Sequence, residues 1–425
     1  MIPNNLFHYI KFNKSQWKNK KIIKKNQFKA IKSIISYSYK NIPFYNKLYK
    51  EKNIKPCDIK TFKDINKIPI ITKKDVILNY PNNIVNNNKY QKKLYHSSTS
   101  GSTGTPIEIM FNNNCRSVYE ALWLRTLLET DYKPWNKFAF FHWKQFNKIP
   151  IYEKFGILRK NIILMDLKIS KQIKLLNKIN PSYIYCFSSL FKLIYQKMKT
   201  KNEILINPKS IILTGETISK KFKNRIGQFY NSEIFEQYAT TEFEIVAWDC
   251  KEHKHFHIND ESVYLEIIKN NEVIQSEEDG NIIITGLTNY AMPLIRYNIN
   301  DYGSKTNEKC NCGRELSLLK SIQGRTDDFI KLPNGNRISP SVLTSYIEIG
   351  DEFYKYVSQF KIIQKKIDKI IIKIVKKKDL DENFLILLKK RLIKITNNQI
   401  NISIKEINNI PISKRGKIKV IESRI

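Results

Sequence analysis

A hydroxyl-rich loop with two glycines constrains this chain more than any other stretch. It reads Ser-Ser-Thr-Ser-Gly-Ser-Thr-Gly-Thr-Pro over residues 97–106, and the runs on either side of it are typical of strands. The glycines permit a tight turn, while backbone N–H groups and hydroxyls can donate to an anion. The loop therefore suits a polyphosphate, although a flexible Ser/Gly linker has a similar composition. It is not a Walker A loop, because no Gly-Lys-Ser/Thr follows the second glycine.

The length and composition of the chain indicate a globular protein with more than one domain. Its 425 residues exceed one ordinary core, and a hydrophobic share of 41% is ample for packing. The net charge of +35 comes from lysines scattered along the whole chain among Asn and Ile. This scatter favours a biased base composition over a basic binding surface. We expect no nucleic-acid partner, and a basic nucleic-acid-binding protein is kept as the most distant alternative.

Two further features of the sequence concern its cellular setting. No apolar run reaches the roughly 20 residues that a bilayer-spanning helix needs, and the first residues lack the apolar core of a signal peptide. The six cysteines are not spaced as a disulfide framework. We therefore expect a cytoplasmic protein without a membrane span.

The pattern of strands and helices predicts an α/β fold. Short buried-type strands are predicted at 138–141, 162–165, 183–187, 210–213 and 233–236. Helical segments alternate with most of them, which favours mostly parallel sheets covered by helices. Two helices are predicted to begin at Thr61 and Thr72, each with an aspartate three residues later.

The pattern then changes twice towards the C-terminus. Residues 264–297 alternate strand and turn, with a hairpin-type turn predicted at 278–281. The last hundred residues predict a small α+β unit with three strands and an amphipathic helix. We therefore expect a large domain over residues 1–326 and a small, mobile domain over residues 327–425.

Five other motifs follow the loop in order. They are Leu-Thr-Gly-Glu at 213–216, Gln-Tyr-Ala-Thr-Thr-Glu at 237–242, Pro-Leu-Ile-Arg-Tyr-Asn-Ile-Asn-Asp at 293–301, Gly-Arg-Thr-Asp-Asp at 324–328, and Pro-Ile-Ser-Lys-Arg-Gly-Lys at 411–417. Together they resemble the core motifs of the adenylate-forming enzymes, which include acyl-CoA synthetases, peptide-synthetase adenylation domains and luciferases. Pro-Phe-Tyr at 43–45 and the run at 68–73 resemble the phenylacetate–CoA ligase branch, which includes CapK-type proteins of capsular polysaccharide gene clusters. The resemblance covers nearly the whole chain.

The resemblance implies a two-step reaction with ATP and Mg²⁺ as cofactors. A carboxylic acid attacks the α-phosphate of ATP and forms an acyl-adenylate, and the acyl group then passes to a thiol of CoA or of a carrier. The alternative acceptor is an amine or an amino sugar in surface polysaccharide biosynthesis. The acid would bind between residues 138 and 185, where Phe141, His142 and Trp143 match the acyl pocket of relatives.

The resemblance also implies roles for individual residues. Glu242 would hold Mg²⁺ and Thr241 would contact phosphate, while Tyr238 would face adenine and Asp301 would accept from the ribose hydroxyls. The full set of implied ATP- or AMP-binding residues is Ser98, Thr99, Ser100, Gly101, Ser102, Thr103, Gly104, Thr105, Gly215, Glu216, Thr217, Gln237, Tyr238, Asp301 and Arg325. Two positions depart from the family by replacing glycine, Ala239 and Asn300, and both replacements are tolerated if φ is negative there.

Lys417 is the residue that the resemblance makes central to adenylation. Its ammonium group would stabilise the α-phosphate and the substrate carboxylate, together with Thr241 and Glu242 at the catalytic site. Asp327 matches the family's hinge, about which the small domain would swing between the two steps.

A structural metal site is also predicted. Cys250, Cys310 and Cys312 with one histidine form a Cys₃His set suited to tetrahedral Zn²⁺, and reduced surface cysteines are the alternative. Among His253, His255 and His257, the resemblance favours His257, but the spacing alone leaves all three open.

Overall fold

The computed structural model describes residues 4–86, 94–98, 106–146, 149–201, 206–274, 277–348, 351–377, 380–411, 413 and 418–425. The chain forms two compact units, which we call unit 1 (Met1–Tyr132 with Gln237–Ser321) and unit 2 (Lys133–Glu236 with Ile322–Ile425). Among the described residues, no helix combines the length and the apolar character that crossing a membrane requires.

The helices, in chain order, are α1 (Asn4–Ser15), α2 (Lys20–Asn41), α3 (Pro43–Glu51), α4 (Lys73–Asn79), α5 (Asn113–Leu128), α6 (Ile151–Lys154), α7 (Ile169–Ile179), α8 (Ser188–Lys201), α9 (Lys220–Tyr230), α10 (Pro340–Ile347), α11 (Asp351–Tyr356) and α12 (Glu382–Ile395). Short 3₁₀ turns occur at Pro56–Asp58, Phe62–Lys67 and Thr326–Asp328. The predicted helix starts are confirmed. The Asp75 carboxylate accepts from the Thr72 N–H at 2.7 Å, and Asp64 accepts from Thr61 in the same way at 2.7 Å.

The strands are β1 (Tyr95–Ser98), β2 (Glu108–Phe111), β3 (Phe138–His142), β4 (Lys160–Leu164), β5 (Tyr183–Phe187), β6 (Ser210–Thr214), β7 (Glu233–Thr240), β8 (Glu244–Asp249), β9 (Phe256–Ile258) and β10 (Val263–Lys269). They continue as β11 (Glu272–Ile274), β12 (Gly280–Gly286), β13 (Tyr297–Thr306), β14 (Leu318–Arg325), β15 (Ile330–Lys331), β16 (Arg337–Ile338), β17 (Val357–Lys366), β18 (Lys369–Lys376), β19 (Asn401–Glu406) and β20 (Ile421–Ser423).

Unit 1 is built around antiparallel strands. Their order is β11–β10–β12–β13–β14–β9–β8–β7. The unit boundary passes through two of these strands, so unit 1 contains β7 only from Gln237 onwards and β14 only up to Ser321. The predicted strand-and-turn region is confirmed, but the predicted position of its tight turn is wrong. The two-residue turn lies at Asn270-Asn271, between β10 and β11, and both asparagines have positive φ (52° and 66°). Paired positive φ values define a type I′ turn, and asparagine accepts them readily. Gly280 instead begins β12.

Unit 2 contains the parallel strands that the sequence predicts. Their order is β6–β5–β3–β4, and the pairs β3/β4, β3/β5 and β5/β6 are parallel. Helices α7, α8 and α9 follow β4, β5 and β6 along the chain, so the α/β class is confirmed.

The C-terminal residues of unit 2 form a small α+β layer. Its strand order is β19–β18–β17–β20, and α12 buries Phe384, Leu388 and Leu392 as predicted. Apolar side chains of this layer belong to the same buried cluster as those of β3, β5 and β6. A separate domain from residue 327 onwards therefore stays a prediction.

A buried ion pair ties the N-terminal segment of unit 1 to its sheet. Arg296, which is 4% exposed, lies beside Glu266 with a closest nitrogen–oxygen distance of 3.1 Å. Its guanidinium also donates to the carbonyls of Asn66 and Ile68, at 3.1 and 2.6 Å. Burial raises the pKa of the Glu266 carboxyl, and the positive charge of Arg296 opposes that effect. Each partner therefore depends on the other.

Replacing Arg296 should destabilise the protein strongly. We expect Arg296→Met to lower the free energy of unfolding by about 3–5 kcal/mol, because Glu266 stays buried without its partner. Urea denaturation followed by circular dichroism measures the change. Arg116→Met is the matched control: Arg116 forms an exposed pair with Glu120 at 2.8 Å, and its loss should cost at most about 1 kcal/mol. Equal losses in the two variants would contradict the role given to Arg296.

Candidate nucleotide site and candidate metal centre

The hydroxyl-rich loop is bracketed by a strand pair. β1 and β2 are antiparallel, and Ser98 pairs with Glu108, so the two ends of the loop are held side by side. Glu108 accepts from the Tyr80 hydroxyl at 2.5 Å and lies 3.3 Å from His96 Nδ1. The predicted phosphate-binding residues Thr99 to Thr105 lie outside the described residues.

The predicted Mg²⁺ ligand lies in a tight hairpin turn of unit 1. Thr240 of β7 pairs with Glu244 of β8, so Thr241, Glu242 and Phe243 form the turn. The Phe243 N–H donates to Thr240 Oγ1 at 3.1 Å and stabilises it. Both Thr241 and Glu242 are partly exposed, which leaves them accessible to a ligand.

Two tyrosines connect this turn to β13. The Tyr238 hydroxyl donates to Asp301 Oδ2 at 2.6 Å, and the Tyr297 hydroxyl donates to Glu242 Oε1 at 3.4 Å. The structure therefore brings together the residues that the sequence assigns to adenine and to ribose. Gln237, beside Tyr238, is buried and donates to Thr126 Oγ1 at 2.7 Å.

The condition of negative φ is not met at Asn300. Asn300 has φ of 66°, and its N–H donates to Asn298 Oδ1 at 2.9 Å. Asparagine is among the few residues that enter the left-handed region readily, so it can replace the glycine of relatives without changing the backbone. Ala239, by contrast, is not among the residues with positive φ.

Glu244, directly after the turn, is an acid that no sequence motif singles out. It has φ of 54°, in the position of a three-residue hairpin that usually requires a left-handed residue. Burial raises the pKa of its carboxyl to about 7. The neutral form of this carboxyl therefore persists to a higher pH than that of an exposed glutamate.

The Leu-Thr-Gly-Glu motif lies in unit 2, at the carboxyl end of β6. Gly215 has φ of 84°, which explains the need for glycine at that position. The following carbonyl, that of Glu216, accepts from Ser188 Oγ at 2.8 Å, and the Glu216 carboxylate accepts from the Ser189 N–H at 2.9 Å. Thr217 is exposed. Ligands of open α/β sheets bind at this edge, outside the carboxyl ends of the strands.

The segment that carries the predicted catalytic lysine reaches the same edge. Lys417 lies outside the described residues, but the next residue, Ile418, donates its N–H to Ser189 Oγ at 3.3 Å. Ser189 thus links Ile418 to Glu216. The sequence analysis missed Ser188 and Ser189, although two hydroxyl residues directly after a predicted parallel strand are a usable signal for a ligand-binding edge.

The predicted hinge forms a 3₁₀ turn, Thr326–Asp328. Arg325 and Asp327 are both exposed, and the neighbouring Asp328 pairs with Lys419 at 2.8 Å. Gly324 has φ of 104°, and a Cβ there would lie 2.9 Å from Pro340. The chain is therefore held firmly on the N-terminal side of this turn.

At the predicted acid-binding strand end, His142 is partly buried. Its Nδ1 lies 2.7 Å from the Lys144 carbonyl, and its ring lies 4.9 Å from that of Phe146. Burial lowers the pKa of His142, so the ring is neutral over a wider pH range than usual.

Four side chains converge on a candidate metal centre in unit 1. The ligand atoms of Cys250, His257, Cys310 and Cys312 all lie within 4.8 Å of one another. Cys250 Sγ is 3.6 Å from Cys310 Sγ, and Cys312 Sγ is 3.3 Å from His257 Nε2. Ligands of tetrahedral Zn²⁺ lie about 3.8 Å apart when Zn–S is about 2.3 Å. The donor set and its spacing therefore fit zinc.

The geometry distinguishes among the three histidines. His257 is fully buried and turns Nε2 towards Cys312. His253 Nδ1 instead lies 3.1 Å from Asp249, and His255 Nε2 lies 3.5 Å from Glu308. The structure thus brings together the four residues predicted from the sequence.

An arginine compensates the negative charge of this cluster. Arg314 stacks over the rings of Trp17 and Trp248, at 4.5 and 5.3 Å, and pairs with Glu129. Burial alone would raise the pKa of the Cys312 thiol. Hydrogen bonds from His257 and Arg314 outweigh that effect and lower this pKa to about 5. A thiolate is the form that binds metal.

Comparison with known proteins identifies a family match for the C-terminal residues and relatives for most of the chain. Residues 330–424 match the CapK C-terminal domain family. Protein CapK of Staphylococcus aureus is 26% identical over 414 residues, which are 92% of this chain and 87% of that protein. Phenylacetate-coenzyme A ligase of Thermus thermophilus is 23% identical over 317 residues, 72% of this chain and 70% of that enzyme.

Solved structures share the fold. A 2-hydroxyisobutyryl-CoA ligase in the postadenylation state, in complex with R3-HIB-AMP, superposes with a TM-score of 0.77 at 16% identity and covers 94% of this chain and 89% of its own. The o-succinylbenzoate coenzyme A synthetase of Bacillus subtilis, in complex with ATP and magnesium, gives 0.52 at 14% identity, over 76% and 68%. This chain is therefore similar in sequence to Protein CapK and to phenylacetate-coenzyme A ligases, and it has the fold of the solved CoA ligases.

Proposed function

We propose that this protein activates a carboxylic acid with ATP and Mg²⁺ to an acyl-adenylate and transfers the acyl group to the thiol of CoA. The observation that carries the proposal is the contact of Ile418 with Ser189. It holds the residue after Lys417 at the carboxyl edge of the parallel strands, next to the Gly215-Glu216 turn. The relatives named phenylacetate-coenzyme A ligases, and the ligase structures with bound acyl-AMP or with ATP and magnesium, support the same reaction.

In this proposal each charged group acts on one part of the nucleotide. The loop 99–105 cradles the terminal phosphates, and Glu242 supplies an oxygen ligand to Mg²⁺. Tyr238 contacts adenine, and Asp301, which accepts from the Tyr238 hydroxyl, binds the ribose. Lys417 stabilises the negative charge that develops as the carboxylate attacks the α-phosphate and pyrophosphate departs.

The second step requires Lys417 to leave the site. Rotation of the C-terminal residues about Asp327 would remove the lysine and admit the thiol. CoA is the acceptor supported best, since the named ligase relatives use it. No contact among the described residues favours a carrier protein or an amino sugar, and we do not assign either.

We further propose that the Cys₃His cluster binds one structural Zn²⁺ ion. Four protein ligands leave no open position for a substrate, so this ion would not take part in the reaction. It would cross-link the chain between residues 250 and 312 at the core that surrounds Trp248.

Replacing Lys417 should separate the two steps. We expect Lys417→Ala to reduce acid-dependent ATP–pyrophosphate exchange by about 10²–10³-fold or more, because the charge at the α-phosphate is lost. Thioester formation from supplied acyl-adenylate and CoA should be largely unchanged. Lys405→Ala, which removes an exposed lysine of the same C-terminal layer, is the control and should retain both activities. Undiminished exchange in Lys417→Ala would refute the role of this lysine.

Replacing one zinc ligand should remove the metal. We expect purified wild-type protein to contain about one zinc ion per chain, and Cys310→Ser to contain almost none and to unfold at a Tm lower by roughly 5–10 °C. Mass spectrometry of the metal content and thermal unfolding measure the two effects. Cys57→Ser changes an exposed cysteine and should alter neither. Unchanged zinc content in Cys310→Ser would exclude the proposed site.

A further inference from the structure

Unit 2 exposes an unusual group of large apolar side chains. We call it the apolar patch and define it by Trp135, Ile149, Ile151, Tyr152, Phe155 and Ile157. Their exposures are 72, 59, 72, 46, 79 and 45%. Scattered exposed apolar residues are ordinary, but a run of six within 23 residues is not.

Backbone contacts hold the patch together as one surface. It follows the connection between β3 and the edge strand β4, together with the turn that precedes β3. The Leu158 N–H donates to the Pro134 carbonyl at 2.5 Å, which brings Trp135 beside Ile157. The Ile157 N–H donates to the Tyr152 carbonyl at 3.0 Å and closes the loop after α6.

The surroundings of the patch are basic. Residues 133–160 contain seven lysines and arginines and a single acid, Glu153. Glu153 is buried, whereas Lys133, Lys137, Lys144, Lys154 and Arg159 are exposed. Large apolar side chains flanked by long cationic ones are the composition of surfaces that lie in the interface of a bilayer.

The charge of the patch decides between its possible occupants. A second copy of the chain in a two-fold dimer would place the same cations against one another without acids to balance them. A nucleic acid would satisfy the cations but would gain nothing from exposed isoleucines. An anionic phospholipid bilayer matches both parts, because its headgroups attract the lysines and its acyl chains take up the apolar tips.

We propose that the apolar patch docks the protein on anionic phospholipid membranes. Binding is peripheral, with the side chains of Ile151 and Phe155 entering the interface and Lys154 and Arg159 contacting the headgroups. This surface does not depend on the proposed ligase activity, and it places the enzyme where a membrane-bound acceptor or an amphiphilic acid would be met.

The protein should float with vesicles of phosphatidylcholine and phosphatidylglycerol at low salt, and much less with phosphatidylcholine alone. We expect Ile151→Ser/Phe155→Ser to weaken partitioning about tenfold or more, because two large apolar side chains no longer enter the interface. Lys154→Glu/Arg159→Glu should weaken it about 25-fold or more, since each basic residue near an anionic surface contributes about fivefold. Added salt should weaken binding of the wild type.

Leu78→Ser/Ile386→Ser is the matched control, since both residues are exposed, at 70 and 51%, but lie outside the patch. It should bind as the wild type does. Circular dichroism of each variant shows whether it remains folded. The proposal is overturned if the wild type does not bind anionic vesicles, or if Ile151→Ser/Phe155→Ser binds equally well. It is also overturned if sedimentation shows that the wild type is a dimer and that Ile151→Ser/Phe155→Ser is a monomer. That result would assign the patch to a second copy of the chain.

Discussion

A buried carboxylate fixes the C-terminal layer of unit 2 to the helices that cover its parallel strands. Glu348, which is 4% exposed, accepts from the Tyr354 hydroxyl at 2.6 Å and from Ser219 Oγ at 3.4 Å, and it pairs with Lys192. The Lys192 ammonium lies 5.3 Å from the ring centres of both Phe222 and Tyr354. A carboxylate buried here without these partners would be strongly destabilising. The position of the C-terminal layer, and with it that of Ile418, therefore depends on this group of contacts.

The same contacts bear on how a two-step reaction could proceed. Phe222 and Tyr354 stack at 5.7 Å, and Arg225 lies 4.3 Å from the Tyr354 ring, so apolar and polar contacts alternate across this junction. Buried apolar side chains of the C-terminal layer also belong to the same cluster as those of β3, β5 and β6, so the core is continuous across this junction. A rotation about Asp327 would have to break the Glu348 contacts. The energetic cost of the proposed domain movement is therefore the loss of these contacts, which other interactions must offset.

The local structure could be predicted well from the sequence. Thr61 and Thr72 begin helical turns as expected, because an N-cap needs only residues three positions apart. The α/β class and the amphipathic face of α12 also follow from short-range patterns. Motif residues far apart in the chain, such as Tyr238 and Asp301, meet as the family resemblance implies.

Features that depend on long-range contacts or on backbone detail could not be predicted. The turn at Asn270-Asn271 was missed because Asp279-Gly280 is the stronger hairpin signal, although Gly280 begins β12 and pairs with Gly303. Spacing could not separate His257 from His253 and His255, since only the fold shows which ring faces the cysteines. Nor does any local pattern reveal that Ser189 contacts a residue 229 positions away.

The central claim is that the C-terminal segment delivers the Lys417 ammonium group to the α-phosphate of bound nucleotide. A crystal structure with a non-hydrolysable acyl-adenylate analogue, an acylsulfamoyl adenosine, tests it most directly. We predict Lys417 Nζ within hydrogen-bonding distance, about 2.7–3.2 Å, of the group that replaces the phosphate. The account would be contradicted by a complex in which the analogue is bound but Lys417 lies in solvent, and in which adding the acid and ATP does not move Lys417.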